Sequence, residues 1–171
     1  FDRLPAEVST YTQYNQPVPS AFDANSSATW LTGGINFENL DSHGGWLGSA
    51  VDMARFMTSF DDENTSLVSP DVVFAEPSIG INPDGYYYGC GWLVRPVGNG
   101  LMNTWHTGAL EGGFSIMVRR WDGRNWVALF NQRDDPSGLS YDVIDPMLHD
   151  AANAVTSWPD IDLFPVVAKI D

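Results

Sequence analysis

The chain has 171 residues, 43% of them hydrophobic and 13% aromatic, and its 22 acidic and 8 basic residues give a formal charge of -14. Such a chain can bury a core and is not generally disordered, and its acidity disfavours nucleic acid and anionic lipid as partners. Cys90 is the only cysteine, which excludes an internal disulfide and a Cys-rich zinc site. No stretch approaches the roughly 20 apolar residues of a membrane helix, so we expect a soluble protein of undefined location, without metal or other cofactor.

The amino-terminal part lacks the periodicity of regular secondary structure. Residues 1–48 are rich in Pro, Asn, Ser and Gly and show no sustained period of 3.6 or 2 residues. We assign 1–43 as a loop-rich segment, and its length suggests that its packing partner lies outside the chain. The chain begins at Phe1 without an initiator Met or a signal-peptide pattern. We expect it to start partway through a longer product; a mature end left by processing is the alternative.

Two helices are predicted next. Ser49 and Asp52 form a variant of the capping box, which satisfies free amides at a helix start. Apolar residues then recur at i, i+3, i+4 and i+7: Met53, Phe56, Met57 and Phe60. This spacing predicts a helix over 50–60 that ends before a solvated acidic run at 61–63. Ser69 and Pro70 supply an N-cap and a first-turn proline, which predicts a short helix over 70–76.

Four strands are predicted in the second half of the chain. The turn sequence Asn82-Pro83-Asp84-Gly85 precedes 86–97, a run dense in aromatic and β-branched residues that indicates a strand. Further strands are expected over 102–108, 114–120 and 125–131. The last two flank Trp121-Asp122-Gly123-Arg124, and Asp-Gly between β-rich runs is typical of a hairpin turn.

A carboxy-terminal helix is predicted within 139–157, after a polar loop at 132–138. Helical spacing places four apolar residues on one face: Leu148, Ala151, Ala152 and Val155. Pro146 fits the first turn with Asp145 as the cap, and Trp158-Pro159 would end the helix. Residues 165–171 are expected to form an extended tail.

The polar tripeptide His106-Thr107-Gly108 lies inside the strand predicted over 102–108. Gly108 lets a second backbone or a ligand approach closely, and Gly112 shapes the loop that follows. A lone histidine is most often a satisfied polar side chain, so residue type alone leaves a structural role for His106 open. Trp105 fits a cleft wall and a core position equally well.

Several motifs of the chain occur in an order that belongs to one family of enzymes. They are Gly44-Gly45-Trp46-Leu47-Gly48-Ser49 with its helix, Leu67-Val68-Ser69-Pro70, Tyr88-Gly89-Cys90-Gly91-Trp92, His106-Thr107-Gly108-Ala109, Gly112-Gly113-Phe114-Ser115, and Val127-Ala128-Leu129-Phe130-Asn131. Residues 44–131 thereby resemble serine hydrolases with the class C β-lactamase and penicillin-binding-protein fold, which include esterases and D-aminopeptidases. His106-Thr107-Gly108 matches the place of the Lys-Thr-Gly triad, which many members carry as His-Thr-Gly.

The resemblance implies an α+β fold in which helices flank an antiparallel sheet, with residues 1–171 as the carboxy-terminal part of a β-lactamase-like domain. In the family an acylating serine attacks an ester, amide or β-lactam carbonyl, and an edge strand holds the oxyanion and the substrate. Carried over by position, Ala109 offers a backbone amide to the oxyanion, while His106 and Thr107 orient substrate or support proton transfer. The implied substrate-binding positions are Trp105, Gly108 and Gly112. The implied partners are a small-molecule or peptide substrate and the amino-terminal half of the same protein.

The family's nucleophile and base have no counterpart in this sequence. The only lysine is Lys169, so no Ser-x-x-Lys element can be written. The family's Tyr-x-Asn element is also absent, because no tyrosine is followed by Asn two positions later. We therefore expect both groups upstream of Phe1, an inactive chain when isolated, and an uncovered sheet edge and helical face. The alternative is a non-catalytic domain that keeps the fold for binding or scaffolding.

Other arrangements of chemically active residues are weaker. Ser115 lies on a predicted strand rather than in a Gly-x-Ser-x-Gly turn, which disfavours a lipase-like triad with His106. His43 and His149 lack the spacing of metal ligands. The aromatic residues of 86–92 are expected to fill a core more often than to line a cleft.

Overall fold

The computed structural model describes residues 5, 7–13, 15–61, 69–133 and 141–161. The fold is α+β, with a five-stranded antiparallel sheet and flanking helices, which confirms the predicted fold class. Within these residues the strands are β1 (Val18–Pro19), β2 (Ser27–Ala28), β3 (Tyr87–Tyr88), β4 (Leu93–Gly98), β5 (Leu101–Leu110), β6 (Gly113–Arg119) and β7 (Asn125–Phe130). The helices are α1 (Ala50–Thr58), α2 (Pro70–Val73) and α3 (Ile144–Ala154), with a π-helical turn at Trp30–Gly34 and 3-10 turns at Phe37–Asn39 and Tyr141–Val143.

The large sheet is a meander with the strand order β3-β4-β5-β6-β7, so each strand lies beside its neighbour in sequence. Strand β4 pairs with β3 at Tyr87–Val94 and with β5 from Leu93–Trp105 to Gly98–Leu101. The register shifts between Pro96 and Gly98, where a proline cannot donate to the ladder. Strands β1 and β2 form a separate two-stranded ladder.

The structure divides into two compact units. The first is drawn from Phe1–Gly48, Thr107–Ser115 and Leu129–Tyr141, and the second from Ser49–His106, Ile116–Ala128 and Asp142–Asp171. In the first unit, Tyr11 forms a parallel bridge with Gln132, and its amide donates to the Asn131 carbonyl at 2.8 Å. We expected the packing partner of the loop-rich segment outside the chain; part of it is the pair of residues that follows β7, Asn131 and Gln132.

The core of the second unit is built from α1, α2 and the β3–β4 hairpin. Its buried cluster consists of Met57, Val73, Phe74, Tyr87, Trp92 and Val94. The Tyr87 hydroxyl donates to the Phe74 carbonyl at 2.6 Å, so this aromatic side chain is buried with its polar end satisfied. Burial raises the pKa of the Tyr87 phenol. Tyr87 and Trp92 confirm the expected core role, whereas Tyr88 is exposed.

Helix α1 follows its predicted capping box. The Ser49 hydroxyl accepts from the Asp52 amide at 3.2 Å, and the Asp52 carboxylate accepts from the Ser49 amide at 3.0 Å. Hydrogen bonds from Ser49 lower the pKa of Asp52. Met57 of the predicted apolar stripe is fully buried, and Phe60 packs against the same cluster. The predicted helix is therefore confirmed, and it ends at Thr58.

The strand predicted over 86–97 is wrong as a single element. The chain leaves β3 after Tyr88, turns through Gly89 and Gly91, and returns as β4. Gly91 has a φ of 84°, and a side chain at Gly89 would lie 2.6 Å from the Val73 carbonyl oxygen. The two glycines permit a turn packed against α2, which hydropathy alone did not separate from a continuous strand. The strands predicted over 102–108, 114–120 and 125–131 are confirmed as β5, β6 and β7.

The carboxy-terminal helix is shorter than predicted, and its cap is a different residue. Helix α3 begins at Ile144 with Val143 at the cap position, so the assignment of Asp145 as the cap is wrong. Pro146 does lie in the first turn, where its missing amide has no intrahelical partner to lose. The helix ends at Ala154, before Trp158, and Val155 is already extended. Helix α2 likewise ends at Val73 rather than 76, and Ser69 makes no side-chain capping bond.

Some predictions lie wholly or partly outside the described residues. These are the acidic run at 62–63, the Leu67–Val68 part of the family motif, most of the polar loop at 132–138, and the tail at 165–171. Asp61 is described, and it is not merely a solvated helix end. Its carboxylate pairs with the Arg119 guanidinium and accepts from the Asn125 side chain at 3.2 Å.

Candidate functional site

The motif of interest lies on β5, which is the third of the five strands rather than a sheet edge. The prediction of an edge strand is therefore wrong for β5 as a whole. Its register with β4 ends at the Leu93–Trp105 pair, so His106 and the residues after it lie beyond the last of these pairs. The strand passes from the second unit to the first at His106–Thr107.

In the second unit, His106 is hydrogen bonded to Tyr88. The Tyr88 hydroxyl oxygen lies 2.9 Å from His106 Nε2, and the two rings meet edge to face with centroids 5.8 Å apart. Either the phenol donates to an unprotonated Nε2 or a protonated Nε2 donates to the phenol oxygen. The half-buried imidazole is thus held by a hydrogen bond at Nε2, which suits a residue that orients a ligand or passes a proton.

Trp105 lies outside the buried core cluster and beneath a cation. Its ring meets that of Tyr86 edge to face at 5.5 Å, and the Arg95 guanidinium carbon is 5.1 Å from its centroid. The same guanidinium lies 5.8 Å from the Tyr86 ring. Trp105 is half-buried while Arg95 is exposed. These three side chains form a surface platform of two aromatic rings and one positive charge.

In the first unit, Thr107, Gly108 and Ala109 are all exposed. The space that Gly108 leaves is taken by Ser115, because a Cβ at position 108 would lie 2.5 Å from the Ser115 hydroxyl oxygen. The predicted close approach therefore exists, and the approaching group is a neighbouring side chain. A substrate contact at Thr107, Gly108 or Ala109 stays a prediction.

Gly112 is buried in the tight turn between β5 and β6. It has a φ of 76°, and a Cβ there would lie 2.8 Å from Leu31 Cδ1 and 3.3 Å from Thr10 Cβ. In the adjacent position, Glu111 accepts a hydrogen bond from the Thr12 hydroxyl at 2.9 Å. Turn conformation and packing against the amino-terminal segment thus account for this glycine.

The residues considered as metal ligands do not come together. Among the described residues, no group of three or more His, Cys, Asp or Glu side chains could hold a metal ion. His149 instead pairs with Asp145 at 3.5 Å and contacts the Trp126 ring with centroids 4.8 Å apart. None of the helices in the described ranges is long and apolar enough to cross a membrane.

Sequence reasoning missed two features of the second unit. The first is the Tyr88–His106 contact, since a single strand over 86–97 gives no reason for residue 88 to approach residue 106. The second is a cavity of about 690 Å³ between α3 and the β6–β7 turn. Both of its walls were predicted, as a helix face and as a hairpin turn, but no local pattern indicates that they lie side by side and leave an open pocket.

Comparison of the chain with protein-family models, curated proteins and solved structures finds no match. The resemblance to β-lactamase-like hydrolases therefore depends on the residues of the motifs themselves.

Proposed function

We propose that the His106–Ala109 segment of β5 forms one wall of a serine hydrolase site of the β-lactamase type. The observation that supports this most is the held imidazole of His106 on a strand whose next three residues are exposed. An ester, amide or β-lactam carbonyl is the reacting group that such a wall would position. The order β5-β6-β7 in an antiparallel sheet is compatible with the motif order that suggested the family.

The assigned roles follow from the chemistry of acyl transfer. A tetrahedral intermediate carries its charge on one oxygen, which backbone amides stabilise best when they are fixed in advance. In this proposal Ala109, on a regular strand, supplies such an amide, and Thr107 orients the substrate beside it. His106 orients substrate or passes a proton, and Tyr88 fixes the plane of its ring.

The proposal also requires a nucleophile and a base from outside this sequence. No Ser-x-x-Lys element can be written within it, and Ser115 faces Gly108 on the neighbouring strand. A segment upstream of Phe1 would supply both groups. The chain would then contribute binding and orientation without forming a covalent intermediate alone.

The experiment compares the isolated 171-residue chain with the complete protein from its natural source. Each is mixed with a chromogenic cephalosporin and with p-nitrophenyl acetate, and any acylated serine is located by mass spectrometry. We expect a burst and an adduct from the complete protein, on a serine upstream of Phe1, and the buffer rate from the chain. His106→Ala in the complete protein should lower kcat/KM about 100-fold or more, while His43→Ala, an exposed histidine, should leave it unchanged.

Three results would contradict the proposal. Acylation of the isolated chain would mean that the nucleophile lies within these 171 residues. Absence of acylation in the complete protein would mean that it is not a hydrolase that acts through an acylated serine. Equal activity of the His106→Ala and His43→Ala proteins would show that the β5 motif has no part in the reaction.

A binding domain without catalysis is the second candidate. It is favoured by the Arg95 guanidinium over the Trp105 and Tyr86 rings, a platform suited to recognition rather than bond cleavage. In this case the complete protein forms no acyl adduct. A search for bound ligands would then show losses with Trp105→Ala or Arg95→Gln and no loss with His106→Ala.

A further inference from the structure

The second unit contains a cavity remote in sequence from the β5 motif. It lies between the apolar face of α3 and the turn that joins β6 to β7, and its volume is about 690 Å³. This volume lies within the range of roughly 300–1,000 Å³ that is usual for small-molecule sites. Leu148, Ala152 and Val155 form the helical side of the cavity. The four apolar residues predicted to share one face of the helix all line it.

Two indole rings form aromatic walls. Trp126, on β7, is half-buried, and Trp158, beyond the end of α3, is 56% exposed. The Trp126 ring is already contacted by the Arg120 guanidinium, whose carbon lies 5.7 Å from its centroid, and by the His149 ring at 4.8 Å, so Trp158 is the more open of the two indoles. An open indole beside the apolar face of a helix suits an aromatic or other planar group.

A positive charge lies at this cavity. The Arg124 guanidinium is 5.7 Å from the Trp158 ring centroid and donates to the Ala152 carbonyl at 3.4 Å. Its nearest carboxylate, Asp122, is 3.4 Å away and is already held by Arg120 through bonds of 2.8 and 2.5 Å. The cluster therefore has two guanidinium groups for one carboxylate, and Arg124 is the partner with the weaker contact.

This local charge is opposite to that of the chain. A formal charge of -14 would repel an anion at long range, but at physiological salt charges more than about 8 Å away are largely screened. The fork of a guanidinium binds carboxylate and phosphate in the same bidentate manner, but a carboxylate carries only one negative charge where a phosphate monoester carries about two. A single carboxylate is therefore the anionic group that this position recognises at least electrostatic cost.

We infer that the cavity between α3 and the β6–β7 turn binds a small aromatic monocarboxylate. The ring lies against Trp158 and the apolar face of α3. The carboxylate pairs with Arg124 on the side of that guanidinium not engaged by Asp122. This site is independent of the proposed hydrolase site.

The experiment titrates the chain with 1-naphthoate and with its neutral primary amide, 1-naphthamide, by calorimetry and by saturation-transfer NMR. We expect saturable binding of one naphthoate per chain, with the amide at least tenfold weaker. Arg124→Gln should weaken naphthoate about tenfold and leave the amide unchanged, and Arg124→Lys should restore part of the difference. Trp158→Ala should weaken both compounds.

Matched variants control for general effects. Arg55→Gln removes an exposed arginine of α1 that does not line the cavity, and Trp121→Ala removes a tryptophan that is 50% exposed and does not line it either. Neither should change naphthoate binding. The inference is overturned if naphthoate fails to bind at millimolar concentration, if the amide binds as tightly, or if Arg124→Gln and Arg55→Gln have equal effects. Thermal unfolding of each variant identifies any loss of fold, and the Arg124→Lys and Trp158→Ala proteins then decide the matter.

Discussion

The exposed half of β5 and the turn between β6 and β7 differ in how clearly the sequence indicates them and in the side-chain contacts that stabilise them. The β5 motif is visible in the sequence as four consecutive residues, yet Thr107, Gly108 and Ala109 are exposed and the side-chain contact of His106 is one hydrogen bond to Tyr88. The turn looks ordinary in sequence, yet Asp122 pairs with Arg120 there and the turn lines an open pocket with α3. A motif thus indicates chemistry, whereas a pocket arises from contacts between distant segments.

Asp122 makes the ion pairs of the β6–β7 turn, so replacing Asp122 should have the largest effect on stability. The Arg120 side chain is only 7% exposed, and Asp122→Ala would leave its charge without a carboxylate partner. We expect unfolding to become easier by about 3 kcal/mol in urea titrations. Asp84→Ala, in an exposed turn, should cost less than about 0.5 kcal/mol. Equal losses would show that the ion pair does not organise the turn.

Acid should weaken the same turn in a defined range. The hydrogen bonds from Arg120 lower the pKa of Asp122 from 3.8 to about 2. Because the folded value lies below the unfolded one, this stabilisation is complete above about pH 4 and is lost as the pH falls towards 2. The loss amounts to about 2 kcal/mol by pH 2. Urea unfolding at pH 5 and pH 2 measures this loss. Between these two pH values the unfolding free energy of the wild type should fall by about 2 kcal/mol more than that of Asp122→Asn. Equal decreases in the two proteins would mean that another group titrates.

These two regions also show what the sequence could predict. Local patterns were reliable: the Ser49–Asp52 capping box and the Asp-Gly hairpin appear as predicted. The α+β fold class that the resemblance implied is also observed. The β5 strand that carries the candidate site was likewise placed correctly. The failures involve contacts between distant residues, such as Asp61 with Arg119 and Tyr88 with His106. Hydropathy could not reveal these pairs because it carries no information on which distant segments pack together, and the Tyr88–His106 pair also depends on the turn at Gly89 and Gly91.

A glycine substitution tests how closely the β5 motif packs. A methyl group at Gly108 would lie 2.5 Å from the Ser115 hydroxyl oxygen but 3.9 Å from Ser115 Cβ. Gly108→Ala should therefore cost about 1.5 kcal/mol of unfolding free energy. Most of this should be recovered in the Gly108→Ala, Ser115→Ala double variant, with a coupling of about 1 kcal/mol. Additive effects would mean that Ser115 is not the group that requires a glycine.

The smallest effect on stability is expected at the Tyr88–His106 hydrogen bond, although it matters most for the proposed function. Tyr88 is 52% exposed, so water replaces the lost hydroxyl in Tyr88→Phe, and the unfolding free energy should fall by only about 0.5 kcal/mol. The imidazole, however, loses the partner of its Nε2, so nitrogen NMR of His106 should show a changed tautomer balance. Tyr86→Phe, which keeps its ring against Trp105, should leave that balance unchanged. Identical His106 spectra in both variants would mean that Tyr88 does not hold the imidazole in solution, and the orientation required for carbonyl chemistry at β5 would then have no support from this side chain.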